Sequence, residues 1–255
     1  MQVKHALLAL SLVAPLCVAD ETKLNLHLEH VSVSGLSSGG YMANQFHIAY
    51  SDWVNKVGII AAGPYYCAQG SIKIALEQCV NKVLSPIPFN DLLDTVNRYA
   101  QEGKIAPLSN LKNSKVWLFH GVKDTKVVAE VSDGLYQQYV NWSGSDNVSY
   151  VKDKGFAHLF PTLDSGTDCS ESVSPFIGNC NYDAAGKMFS FLFDELQPRT
   201  PATTGKLIEL DQQQLAGDTA RTLADTGYAY VPASCALGEV CSLHISFHGC
   251  NQNAQ

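Results

Sequence analysis

No stretch of this sequence concentrates positive charge: 17 lysines and arginines are scattered against 24 aspartates and glutamates, for a formal net charge of −7. Neutralising phosphates needs clustered Lys and Arg, so a nucleic-acid partner is not expected. The apolar run at residues 6–16 is too short to cross a bilayer as a helix, so no membrane span is expected either. The cysteines and histidines nowhere take up the spacing of a zinc site. No segment repeats another. Between the apolar N-terminal run and residue 37 there is also no His-Gly motif.

The N-terminus has the order of a secretory signal: Lys4, the apolar residues 6–16, then Cys17-Val18-Ala19 ahead of Asp20. Residues 1–19 are expected to be removed near Ala19/Asp20, giving an extracellular or periplasmic protein. The 255 residues, 46% hydrophobic and 16% charged, suit a single large α/β domain over 20–255. Cleavage takes Cys17 and leaves Cys67, Cys79, Cys169, Cys180, Cys235, Cys241 and Cys250, which an oxidising compartment would pair. Cys169/Cys180 and Cys235/Cys241 bracket loop-like sequence and are the natural local bridges. Spacing leaves the connectivity open, and the odd number leaves one cysteine without a mate.

Strand and helix patterns alternate. Residues 27–34 read as a strand ending at Gly35, and 41–50 as a helix. Residues 57–62 and 115–120 are apolar runs of the buried parallel type. Residues 86–103, 131–142 and 184–196 have helical spacing, and 148–152 reads as a strand. A polar Pro/Thr-rich connector follows at 197–206, then strand candidates at 206–210, 227–231 and 243–247. This order predicts a mostly parallel, doubly wound sheet covered on both faces.

Gly35-Leu36-Ser37-Ser38-Gly39 matches Gly-x-Ser-x-Gly, in which a strand turns sharply into a helix and strains the central serine outward. Such five-residue matches also occur in plain turns, but here the strand before and the helix after supply the context. A serine hydroxyl needs a base and an orienting acid to become a nucleophile. Asp124 follows the strand at 115–120, and His158 follows the next strand. Both sit where such a sheet presents its ligand loops, in the chain order Ser, Asp, His. The bland alternatives are a turn or capping aspartate and a satisfied loop histidine. Among rivals, His120 is read as structural, Asp133 as a surface or capping residue, and Asp153 as too local to reach the far side of the imidazole. The second oxyanion donor usually comes from a His-Gly loop upstream of the nucleophile. With His120-Gly121 already leading to Asp124, the only remaining apolar strand ending in His-Gly is 243–247, followed by His248-Gly249-Cys250 at the far end of the chain. A circular permutation resolves this and makes the amides of Ser38 and Cys250 the expected oxyanion donors.

These residues resemble a family. Gly-Leu-Ser-Ser-Gly-Gly-Tyr-Met-Ala (35–43), Ala-Gly-Pro-Tyr-Tyr-Cys-Ala-Gln-Gly (62–70), His-Gly-x-x-Asp (120–124), Asn-Cys-Asn-Tyr-Asp-Ala-Ala-Gly (179–186) and His-Gly-Cys (248–250) are similar to motifs of the secreted, circularly permuted polyhydroxybutyrate depolymerases. The resemblance covers essentially all of residues 20–255. It implies an α/β-hydrolase fold and a triad of Ser37, Asp124 and His158. It also implies hydrolysis of 3-hydroxybutyrate esters without metal or organic cofactor. In that family a helix, a further strand and an aromatic-rich segment follow the His-Gly-Cys loop. The sequence here ends at Gln255, so a C-terminally truncated domain is expected.

A solid polyester would need a shallow crevice edged by aromatics. Tyr65, Tyr66, Trp142 and Phe160 are the candidates, with ordinary packing as their alternative. Two other functions compete: a secreted esterase acting on soluble or polysaccharide-linked acetyl or feruloyl esters, and a non-catalytic binding protein that keeps the fold. A monomer is expected. Asn141-Trp142-Ser143 and Asn147-Val148-Ser149 are glycosylation sequons, meaningful only in a eukaryotic host.

Overall fold

Apolar runs too hydrophobic to face water become the middle of a parallel sheet. The computed structural model describes residues 23–80, 85–196 and 204–252. They divide into two units: the described residues of 26–204 with 240–252, and 23–25 with 205–239. In chain order the larger unit holds β1 (Val31–Leu36), α1 (Ser38–Ala49), β2 (Val54–Ile60), α2 (Ile72–Gln78), α3 (Phe89–Gln101), β3 (Lys115–Phe119), α4 (Ala129–Ser143) and β4 (Val148–Val151). Three short strands follow, β5 (Phe160–Thr162), β6 (Thr167–Asp168) and β7 (Ile177–Asn179), and then α5 (Ala184–Leu192). The smaller unit contributes β8 (Lys206–Asp211), α6 (Gln212–Ala216), β9 (Thr226–Val231) and α7 (Ala233–Ala236). The chain then returns to the larger unit with β10 (His244–Phe247).

The main sheet runs β10-β1-β2-β3-β4 with every pairing parallel. Its inner strands are buried on both faces, as the unbroken apolar runs require. On one face Val33, Val57 and Val116 pack with Ile48 of α1 and with Leu135 and Tyr139 of α4. On the other, Trp117 and Phe119 pack with Met188 and Leu192 of α5. Each such side chain contributes about 1.5–3 kcal/mol on burial, and together they fix the strand ends from which the functional loops project. β10 lies against β1, with Val33 opposite Ile245 and Gly35 opposite Phe247, as expected for residues 243–247. Ser32 and Ser34 are polar yet buried in β1. Their hydroxyls are satisfied across the pair by His244, at 2.8 Å to Nδ1 and 2.9 Å to Nε2.

Several boundaries differ from the sequence pattern. Leu28–His30 form a 3-10 turn, so the first strand begins at Val31 rather than at residue 27. The helix expected over 184–196 stops at Leu192. The small β5-β7-β6 sheet and α2 were not foreseen. The residues read as a signal peptide lie outside the described residues, as does most of the 197–206 connector. In the smaller unit β8 and β9 pair antiparallel, and Asp211 caps α6 by accepting the Gln214 N–H at 2.9 Å.

The disulfide Cys169–Cys180 forms as the local spacing suggested, and Cys67–Cys79 closes the loop after β2. Cys235 and Cys241 are each disulfide-bonded, while Cys250 carries an exposed free thiol.

Beneath α1 a closed polar network makes stability depend on pH. His47 is buried, with Nδ1 2.9 Å from the Tyr139 hydroxyl and Nε2 3.0 Å from Ser114 Oγ. Tyr139 donates in turn to Asn44 Oδ1, so its oxygen accepts the His47 Nδ1–H and leaves Nε2 to accept from Ser114. Burial pushes the His47 pKa down from 6.5 to about 3. The unfolded chain therefore takes up a proton at a pH where the folded chain refuses it. The contribution of His47 is fully present above 6.5 and is lost as pH falls toward about 3. The slope it adds is about 1.4 kcal/mol per pH unit. Urea titrations between those limits should show His47→Gln with a shallower acid loss than wild type. Parallel curves would remove His47 as the cause.

Candidate active site

The site grows from the turn between β1 and α1. Ser37 sits at φ 58°, ψ −122°, in a region that non-glycine residues avoid, and this costs on the order of 1–3 kcal/mol. Two backbone bonds hold it there: Ser37 N–H donates to Ile60 C=O and Tyr41 N–H donates to Ser37 C=O, both at 2.9 Å. The flanking glycines are required by close approach. A Cβ on Gly35 would overlap the Gly39 carbonyl, and one on Gly39 would overlap the Phe247 carbonyl at the end of β10. β10 can thus lie where it does only because residue 39 carries no side chain.

Asp124 follows β3 in a tight loop. Its Oδ1 accepts the backbone N–H of Lys126 at 2.8 Å and of Val127 at 3.0 Å, and its Oδ2 meets His158 Nδ1 at 2.7 Å. The Asp124 carboxylate is buried and can only accept, so the bond to His158 is made by its Nδ1–H and Nε2 is turned away from the acid. His120 Nε2–H donates to Val127 C=O at 2.9 Å and braces this loop, in keeping with its structural reading. Asp153 and Asp133 pair with surface lysines, Lys154 and Lys152, each at 2.9 Å.

The segment bearing His158 is tied down from the disulfide loop. Ala157 N–H donates to Cys169 C=O and His158 N–H donates to Ser172 Oγ, at 2.9 and 3.0 Å. Ser37 and His158 line one open cleft of about 190 Å³, together with Leu36, Lys126, Phe176, Gly249, Cys250, Asn251 and Gln252. The His248-Gly249-Cys250 loop therefore reaches the same end of the sheet as Ser37. A Cβ on Gly249 would stand 3.5 Å from Ser37 Cβ. Ser38 opens α1, so its N–H belongs to the unsatisfied first turn.

No family model matches the chain. The chain is 43% identical over 235 residues to a poly(3-hydroxybutyrate) depolymerase of Delftia acidovorans, across 90% of its own length and 47% of that protein's. It is 41% identical over 236 residues to a polyhydroxybutyrate depolymerase of Talaromyces funiculosus, across 90% of its length and 67% of the other's. The chain belongs to the polyhydroxybutyrate depolymerase family. The crystal structure of a PHB depolymerase from Penicillium funiculosum matches with a TM-score of 0.81 at 38% identity, over 90% of this chain and 71% of that one. A PHB depolymerase complexed with an R3HB trimer matches equally, with a TM-score of 0.81. This chain spans about half the length of its Delftia relative.

For a depolymerase-family cleft, the four aromatics expected along its edge fall elsewhere. Tyr65 is buried in the main core, with its N–H donating to Gln138 Oε1 at 2.7 Å. Tyr66 packs edge-on against Tyr99, and Trp142 edge-on against Tyr139. Phe160 begins β5 and lines a separate open depression. Nearness in sequence to a functional loop does not decide which way a side chain leaves it: Tyr65, Tyr66 and Trp142 leave toward packed neighbours, and Phe160 borders the other depression. The aromatic that does line the cleft is Phe176, whose ring lies edge-on to His158 with centroids 6.3 Å apart. Phe176 and Gln252 were both missed. The one local hint was for Gln252, two residues after Cys250.

Proposed function

We propose that this chain is a secreted serine esterase that cleaves the 3-hydroxybutyrate ester bonds of polyhydroxybutyrate through an acyl-enzyme. The observation that carries the reading is the buried Asp124–His158 bond at 2.7 Å in the wall of the cleft that also holds strained Ser37. Ser37 Oγ attacks the ester carbonyl while His158 Nε2 takes its proton. Asp124 stabilises the imidazolium without being protonated itself. The amides of Ser38 and Cys250 receive the oxyanion, an arrangement that fits a permuted chain in which β10 supplies the second donor. His158 then protonates the leaving alkoxide, and water repeats the sequence to release the acid. The cleft is open, which suits a short ester segment presented by a polymer surface. Residues 1–19 acting as a secretion signal would deliver the chain to such a substrate, and its disulfides are in keeping with that compartment.

The test is clearing of a polyhydroxybutyrate emulsion by the full chain, with a fluorophosphonate probe run alongside. Clearing together with labelling at Ser37 is expected. Labelling without clearing, with turnover of acetyl or feruloyl esters, would overturn the polymer assignment. Absence of both labelling and turnover would leave a binding protein with this fold.

A further inference from the structure

The peptide joining Gly249 to Cys250 is held through its carbonyl, and the Gln252 side chain holds the Gly249 N–H just before it. The Gly249 carbonyl accepts from His248 Nδ1 at 2.9 Å and from the Gln252 N–H at 3.2 Å. A trans peptide sets the Cys250 N–H opposite that carbonyl. Fixing the carbonyl therefore fixes where the Cys250 amide points. The side chain of Gln252 completes the arrangement: its Oε1 accepts the Gly249 N–H at 2.7 Å, and its Nε2 donates to the Pro175 carbonyl at 2.8 Å. Pro175 precedes Phe176, the ring that stands beside His158 in the cleft. A second tether runs from Ser174 Oγ to the Asn251 carbonyl at 3.5 Å.

We infer that Gln252 is a positioning residue for the oxyanion donor Cys250: its amide ties the loop after β10 to the loop carrying Phe176 and holds both walls of the cleft at their working separation. This rests on the esterase reading above, in which the Cys250 amide receives the oxyanion. Gln252 touches no reacting atom. Without its side chain the Gly249 N–H and Pro175 carbonyl lose their partners, and the 249–250 peptide is left with only the two bonds to its carbonyl, from His248 Nδ1 and the Gln252 N–H. An oxyanion donor works by being aimed before charge develops, so a loosened one loses transition-state stabilisation while ground-state binding changes little.

The experiment compares wild type, Gln252→Met and Gln252→Glu on a soluble p-nitrophenyl ester. It also measures affinity for an aryl trifluoromethyl ketone, whose adduct on Ser37 carries the oxyanion. Gln252→Met should lower kcat by ~10- to 100-fold with KM within about twofold, and ketone affinity should fall in parallel. Gln252→Glu keeps the acceptor for the Gly249 N–H and loses the donor to Pro175, so it should fall between. It also serves as the test if the methionine variant does not fold. Variants with wild-type kcat and ketone affinity would overturn the assignment, as would ones in which only KM or melting temperature moves. An inert wild-type chain would overturn the esterase reading and this assignment with it. An active wild type with an indifferent Gln252 would overturn this assignment alone.

Discussion

Replacing Ser37 by alanine is expected to remove ester hydrolysis by up to about 10⁶-fold, the scale on which serine hydrolases lose turnover with their nucleophile. The fold should be untouched. The hydroxyl makes no contact on which the turn depends, since the backbone is held through the Ser37 N–H to Ile60 and the Ser37 carbonyl from Tyr41. Ser37→Gly gives the companion result. Glycine adopts φ 58° without a Cβ penalty, so this variant should be equally inactive yet more stable than alanine. Activity on a soluble ester and thermal melts of the three proteins settle the matter. An alanine variant as active as wild type would take Ser37 out of the mechanism, whatever the strain at its turn.

How much of this site can be read in the sequence depends on how local its causes are. The Ser37 turn is legible because five residues contain its whole mechanism: a buried strand, a strained corner, small neighbours and a helix start. Asp124 and His158 are legible one level up, because parallel strands place their following loops at one end of the sheet. The β10–β1 pairing follows from elimination, since one His-Gly loop remained after every upstream position failed to supply one. Beyond that, sequence fails for physical reasons. β5, β6 and β7 span two or three residues each, too short for a periodicity of two to show. Phe176 and Gln252 reach the cleft only because two loops some 75 residues apart fold against each other. Tyr65, Tyr66, Trp142 and Phe160 were placed by sequence proximity, and packing against Gln138, Tyr99, Tyr139 and the α5 face decided otherwise.

Asp124→Asn should reduce turnover by about 10⁴-fold with little change in secondary structure. The carboxylate is buried and acts only as an acceptor. One oxygen takes the Lys126 and Val127 amides, and the other takes the His158 Nδ1 proton. An asparagine can still accept the two amides through its carbonyl, so the loop keeps its shape. Its NH₂ then faces His158 and can only donate. The imidazole must move its proton to Nε2 to accept that bond, which removes the base from the side that Ser37 needs. The loss should thus appear in kcat on a soluble ester while the melting temperature stays close to wild type. Asp153→Asn is the control. That side chain is 72% exposed and pairs with Lys154, so its loss should leave rates within about twofold. If Asp153→Asn carries the large effect and Asp124→Asn does not, the acid has been assigned to the wrong carboxylate. The 2.7 Å bond to His158 would then be a support for the loop rather than part of the chemistry.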